Sequence, residues 1–228
     1  MANEPEDKYV KYAVDLVMCI DGTGSMGHLI DAVKSTALNF YPKLEAKMET
    51  KQKKIDQLRA KVIVFRDYWA DAPDKVMVQS KFFNLRTENT EFAGFVSKIQ
   101  AQGGGDEPEN GLEGLDLALK SKWEKAQDFA KQRYVIIVYT DASAHSLEKS
   151  SKPAHYPKEI SSTLDDLTDY WSEMSSPAKR LLLFTPDASP WTMIASSWDN
   201  TIHFASKAGQ GLEEFEMDEI LDVIANSV

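Results

Sequence analysis

Only one residue in 228, Cys19, is a cysteine, which excludes an internal disulfide, and no Cys/His cluster has zinc spacing. Long apolar runs are missing too: none nears the roughly 20 residues that a membrane helix needs. The opening MANEPEDKYVKY lacks the apolar core of a secretory signal, so a cytoplasmic setting is expected. Positive charge is scarce. Lys and Arg total 26 against 36 Asp and Glu, a formal net charge of −10, which disfavours binding to nucleic acid or an anionic membrane. Apolar residues, at 43% beside 27% charged, are those of a globular chain with a real core.

The apolar runs are short and β-rich, at residues 12–20, 61–65, 134–140, 179–185 and 201–205, with stretches of helical spacing between them. Alternation of this kind predicts an α/β fold with a mostly parallel sheet and helices on both faces. Residues 76–85 follow their predecessor by too short a link for a parallel crossover and are expected to form an antiparallel edge strand, the sixth strand. Ile30, Val33, Ala37, Tyr41, Leu44 and Met48 form one apolar helical stripe, which Pro42 should kink or break. Further helices are expected at 91–99, 111–131, 157–174, 190–198 and 212–225. The basic residues Lys47, Lys51, Lys53, Lys54, Arg59 and Lys61 suit a solvated helix C-terminus. No repeat stands out, and 143–157 reads as a loop inside one domain spanning 1–228, with 1–10 a flexible N-terminus.

In a parallel α/β sheet, ligands gather at the carboxyl ends of the strands. Aspartate follows four of the apolar runs: Asp21, Asp67, Asp141 and Asp187. Asp67 and Asp187 read individually as caps or loop residues, but several carboxylates on one rim repel unless a cation lies among them. After the first strand comes Asp21-Gly22-Thr23-Gly24-Ser25-Met26-Gly27. In an extended loop the alternate residues Asp21, Thr23 and Ser25 face one centre, and such oxygen donors suit Mg²⁺ or Mn²⁺ better than zinc. The same glycines spell G-x-G-x-x-G, yet a dinucleotide would meet Asp21 at its pyrophosphate, and the next strand comes too late for a compact βαβ unit. CIDGT also approaches the haloacid-dehalogenase phosphatase pattern, but Cys19 occupies the place of the nucleophilic aspartate. A loop that merely caps a helix is the plain alternative.

A hydrophobic strand, Asp-x-Thr-x-Ser and a helix together resemble the metal-ion-dependent adhesion site (MIDAS) of von Willebrand factor type A domains. That family carries a further metal-coordinating hydroxyl, usually threonine, in a loop before a helix, and an aspartate after its central strand. The corresponding segments here are GGGDEPENGLEGL and Tyr139-Thr140-Asp141; aligning the helix starts puts Asp106 where threonine is usual. Phe65-Arg66-Asp67-Tyr68 with GGGDEPE resembles the type A domains of bacterial stand-alone proteins and of those beside α-type protein kinases. The resemblance implies a Rossmann-like fold and a metal site of Asp21, Thr23, Ser25, Asp106 and Asp141 holding Mg²⁺, Mn²⁺ or Ca²⁺. Thr23 and Ser25 would ligate directly, with Asp21 and Asp141 ligating or accepting from metal-bound water. Asp106 would make the site more negative and weaken its attraction for a partner carboxylate. Glu107 and Glu109 are expected to face solvent.

No nucleophile is paired with a base: His28, His145 and His155 are read as surface residues. The preferred function is therefore a metal-dependent protein-interaction module, not an enzyme, with 143–157 as a specificity loop and a kinase or phosphatase of the same system as candidate partner. A monomer is expected. Tyr68, Trp69 and Trp191 could add aromatic contact area, while Trp198 should pack in the core. The alternative is a metal-dependent hydrolase or phosphotransferase, for which Arg66 is the only candidate phosphate-gripping cation.

Overall fold

Strand β1 (Val10–Asp21) is buried over its last ten residues, and a strand apolar on both faces has to lie centrally with a layer on either side. The computed structural model describes residues 9–105, 107–125 and 131–228. In it, β1 is flanked by β2 (Lys53–Phe65) and β5 (Lys131–Tyr139), and the sheet continues through β6 (Lys179–Pro186) to β7 (Thr201–Ser206), all parallel. Two short pieces, β3 (Met77–Gln79) and β4 (Phe83–Asn84), pair antiparallel to β2. The expected antiparallel strand at 76–85 is thus split, giving seven strands among the described residues instead of the expected six. Ser80 sits at the break, where its hydroxyl accepts from Val62 N–H at 2.9 Å and donates to Lys81 C=O.

Strand alternation sorts the core into two layers. Val14, Leu16, Met18 and Ile20 face α1 (Gly27–Thr36), α2 (Phe40–Thr50), α3 (Asn89–Val96) and α7 (Met217–Ser227); Val17 and Cys19 face α4 (Gly111–Leu119), α5 (Leu164–Glu173) and α6 (Trp191–Ser197). The stripe from Ile30 to Met48 does break, but at a 3₁₀ turn over Ala37–Asn39. Pro42 falls in the first turn of α2, where its missing N–H is no loss. Helix α5 starts later than expected because Thr163 caps it: its hydroxyl accepts from Asp166 N–H at 3.1 Å, and the Asp166 carboxylate accepts from Thr163 N–H at 2.9 Å. Such a box is worth about 1 kcal/mol.

Of the basic cluster, only Lys47 and Lys51 lie at the end of α2. Lys53, Lys54, Arg59 and Lys61 belong to β2, where Arg59 forks onto the buried Asp15 at 2.8 and 2.6 Å. The expected helix at 111–131 ends at Leu119, and residues 126–130 lie outside the described set. So do residues 1–8 of the expected N-terminal tail, whose last residue, Val10, already opens β1.

Candidate functional site

The chain runs from β1 to β2 on one side and returns to β5 on the other, so the β1 end is the topological switch point where loops diverge and leave a crevice. Register does the rest. Ile20 lies opposite Tyr139, which puts Asp21 beside Thr140, and the Thr140 hydroxyl donates to Asp21 Oδ2 at 2.6 Å. Asp21 Oδ1 accepts from Thr23 N–H at 2.9 Å. One residue beyond Thr140, Asp141 accepts from the Ser25 hydroxyl at 3.0 Å and from Gly211 N–H at 2.7 Å. Thr23 Oγ1 and Ser25 Oγ are 3.5 Å apart. Four of the five expected site residues, Asp21, Thr23, Ser25 and Asp141, therefore come together; Asp106 lies outside the described residues.

Thr23, Ser25 and Asp141 line a cavity of about 220 Å³ with Gly103, Gly104 and Glu109. Gly104 has φ +78°, and a β-carbon there would stand 2.8 Å from both Glu109 Oε1 and Thr23 Cγ2, so only glycine lets the loop pass this close. Arg66 staples the two rim loops from behind. Its guanidinium donates to the carbonyls of Gly22 (2.9 Å), Gln102 (2.8 Å), Lys75 (2.5 Å) and Gln100 (2.7 Å). This corrects the expected phosphate-gripping role, since the guanidinium is buried on main-chain carbonyls and does not line the cavity.

Glu109 is the residue that the sequence reading missed. Expected to face solvent, it is 4% exposed, because Glu109 N–H donates to Ser143 C=O and its own carbonyl accepts from His145 N–H. Its Oε2 is buried with no hydrogen-bond partner among the described residues. Burial, then the nearby Asp21, Asp67, Asp71 and Asp141, push its carboxyl up to about 9. Burial likewise raises Asp21 to about 6, against the hydrogen bonds from Thr140 and Thr23. A trace of Glu109 was present in the sequence: it stands four residues before Glu113, which with Asp116 interrupts the otherwise apolar face of the helix that follows, α4. Glu113 and Asp116 are both fully buried.

Three other expectations change. His145 is buried, 3.3 Å from Asp67 and packed on Trp69 with ring centroids 4.3 Å apart. Trp191 is wholly buried, donating to Ala142 C=O at 3.0 Å, and Tyr68 is buried as well, so neither is contact surface. Trp69 is partly exposed and ties down the 143–157 loop through a 2.9 Å bond to Ser151 C=O; Trp198 packs in the core as expected. Asp67 is a turn residue, accepting from Trp69 N–H at 2.8 Å, and Asp187 is exposed away from the cavity. Buried Cys19, raised to about 12 by desolvation, is no nucleophile.

Among the described residues no three His, Cys, Asp or Glu side chains by themselves form a group able to hold a metal ion. A cation at this rim would need the hydroxyls of Thr23 and Ser25 as well. The donor set is all oxygen, which suits a hard divalent ion, and the orphaned Glu109 oxygen is an acceptor that such an ion would satisfy.

Sheet order, switch point and rim define a class. The chain belongs to the von Willebrand factor A domain family, whose description matches residues 15–159; domains of this family generally mediate protein–protein interactions. Among its relatives are the alpha-protein kinase vwkA of Dictyostelium discoideum, 31% identical over 63% of this chain and 21% of the kinase, and the putative ariadne-like RING finger protein R811 of Acanthamoeba polyphaga mimivirus, 24% identical over 76% of this chain and 15% of that protein. The chain thus spans about a fifth or less of these curated relatives. The pilus adhesin SpaC of Lactobacillus rhamnosus GG shares the fold in two crystal structures, one in an open conformation. The TM-scores are 0.53 and 0.52, at 12% and 13% identity, over 94% of this chain and 30% of the adhesin.

Proposed function

We propose that the rim between β1 and β5 holds a divalent cation, Mg²⁺ or else Mn²⁺ or Ca²⁺, and docks a protein partner there. The observation that carries this reading is the Glu109 carboxylate, buried near Asp21 and Asp141 with an oxygen that has no partner among the described residues, an arrangement that is costly without a cation. Thr23, Ser25, Asp21, Asp141 and Glu109 are the proposed donors, with Glu109 sharing or taking the role expected of Asp106. A bound cation would neutralise the acids and offer a coordination position to an oxygen of the partner. Thr140 and Gly211 hold the two aspartates in place, and Arg66 holds the loops.

The likeness to an alpha-protein kinase supports a kinase-linked system, with a kinase or phosphatase as partner. The 143–157 loop would act as the specificity element, in a cytoplasmic, monomeric protein with 1–228 as a single domain that binds neither nucleic acid nor membrane. Hydrolysis or phosphotransfer at the same rim is less favoured, since Arg66 is buried on main-chain carbonyls and does not line the cavity. Thermal melts in EDTA and then in each metal, on wild type and Asp21→Ala, test the reading. Metal should raise the wild-type melting temperature and leave Asp21→Ala unmoved, and equal rises would sink the assignment. Capture from lysate with and without EDTA then tests whether the partner depends on metal.

A further inference from the structure

At the opposite end of the sheet the sign of the charge reverses. Lys53, Arg133 and Arg180, near the amino ends of β2, β5 and β6, line a groove of about 600 Å³ together with Tyr12, Ile202 and Phe204. Lys53 and Arg133 both stand over the buried Tyr12 ring, at 5.6 and 5.2 Å from its centroid. Their polar partners are all main-chain oxygens. Lys53 donates to Ala225; Arg133 to Val228, Gln132 and Pro177; Arg180 to Lys179 and Pro177.

Among the described residues none of the three pairs with an Asp or Glu side chain, although the chain carries ten excess negative charges; Arg133 meets only main-chain oxygens, that of the last residue, Val228, among them. Basic residues elsewhere do find acids: Lys47 with Asp218 and Asp222, Arg59 with Asp15, Lys179 with Asp199. Burial and the like charges of Arg133, Lys51, Arg180 and Lys131 hold the Lys53 ammonium below its usual range. Beside the groove β7 is an edge strand, paired only with β6 among the described residues, and its Ile202 is 46% exposed.

We infer that this groove docks an extended acidic peptide segment of another protein, its carboxylates on Lys53, Arg133 and Arg180 and its apolar side chains beside Tyr12, Ile202 and Phe204. Charge complementarity selects the acid, and the apolar lining and open strand edge select a peptide over a small anion. Nucleic acid fits poorly with the net charge.

Fluorescence anisotropy in EDTA, which keeps metal from the rim, tests this with a labelled octapeptide of alternating Glu and Phe. Binding should weaken with salt, fall about tenfold in Lys53→Gln/Arg180→Gln, fall again in Ile202→Asp, and persist in Asp21→Ala; melting curves confirm that the variants fold. Ile202→Asp alters only an exposed side chain and so serves even if the double variant does not fold. The inference is overturned if the wild type does not bind, if a Gln/Phe octapeptide binds equally, or if the variants bind like wild type. Displacement by inorganic phosphate where chloride has no effect would also overturn it, assigning a small-anion site instead, and loss of binding in Asp21→Ala would place the peptide at the rim.

Discussion

Replacing Glu109 with Gln should stabilise the metal-free protein and blunt its response to metal. Without metal, at pH 7.5, the folded protein holds Glu109 protonated while the unfolded chain, near the ordinary value of 4.5, does not. Three pH units at about 1.36 kcal/mol each set an upper limit of about 4 kcal/mol on the resulting penalty. Water entering the rim screens it, leaving about 2 kcal/mol. Glutamine keeps the shape and removes the ionisable group, so in EDTA the variant should melt about 4–8 °C above wild type. In Mg²⁺ at about a hundred times Kd the wild type should gain about 2.7 kcal/mol, and the variant, missing an anionic donor, less than half of that. Differential scanning calorimetry of both proteins in EDTA and in Mg²⁺ measures all four values. A variant that melts no higher than wild type in EDTA, or that responds fully to Mg²⁺, refutes the place given to this carboxylate.

Gly104→Ala puts a β-carbon into Thr23 and Glu109 at positive φ; it should cost about 1–2 kcal/mol and abolish most of the Mg²⁺-induced rise in Tm. An undiminished rise would mean that the loop can retreat. Arg66→Met leaves four carbonyls without their donor and should cost about 3 kcal/mol in urea unfolding; a loss under 1 kcal/mol would show that the staple is dispensable. In EDTA, stability should fall as pH rises from about 4.5. Asp21, Glu113 and Glu109 titrate at about 6, 7 and 9 when folded, so across that window the folded state binds more protons than the unfolded one. Urea midpoints at pH 5, 7 and 9 that stay level or climb would contradict those shifts.

The order of strands and helices, the parallel character of the sheet and the Asp21-x-Thr23-x-Ser25 turn were all legible in the chain, because apolar periodicity and turn residues are local properties. Asp141 was legible for the same reason, as the residue that ends an apolar run at the sheet's ligand-binding edge. Only the tertiary structure decided the fates of Glu109, Arg66 and His145. Each is a polar loop residue whose burial depends on segments distant in sequence folding over it: 143–145 on Glu109, the 100–102 backbone on Arg66, Trp69 on His145. The cations of the basal groove were visible as scattered letters, but parallel register, which no single strand encodes, lines up their strand ends and sets them together at the opposite end from the acids.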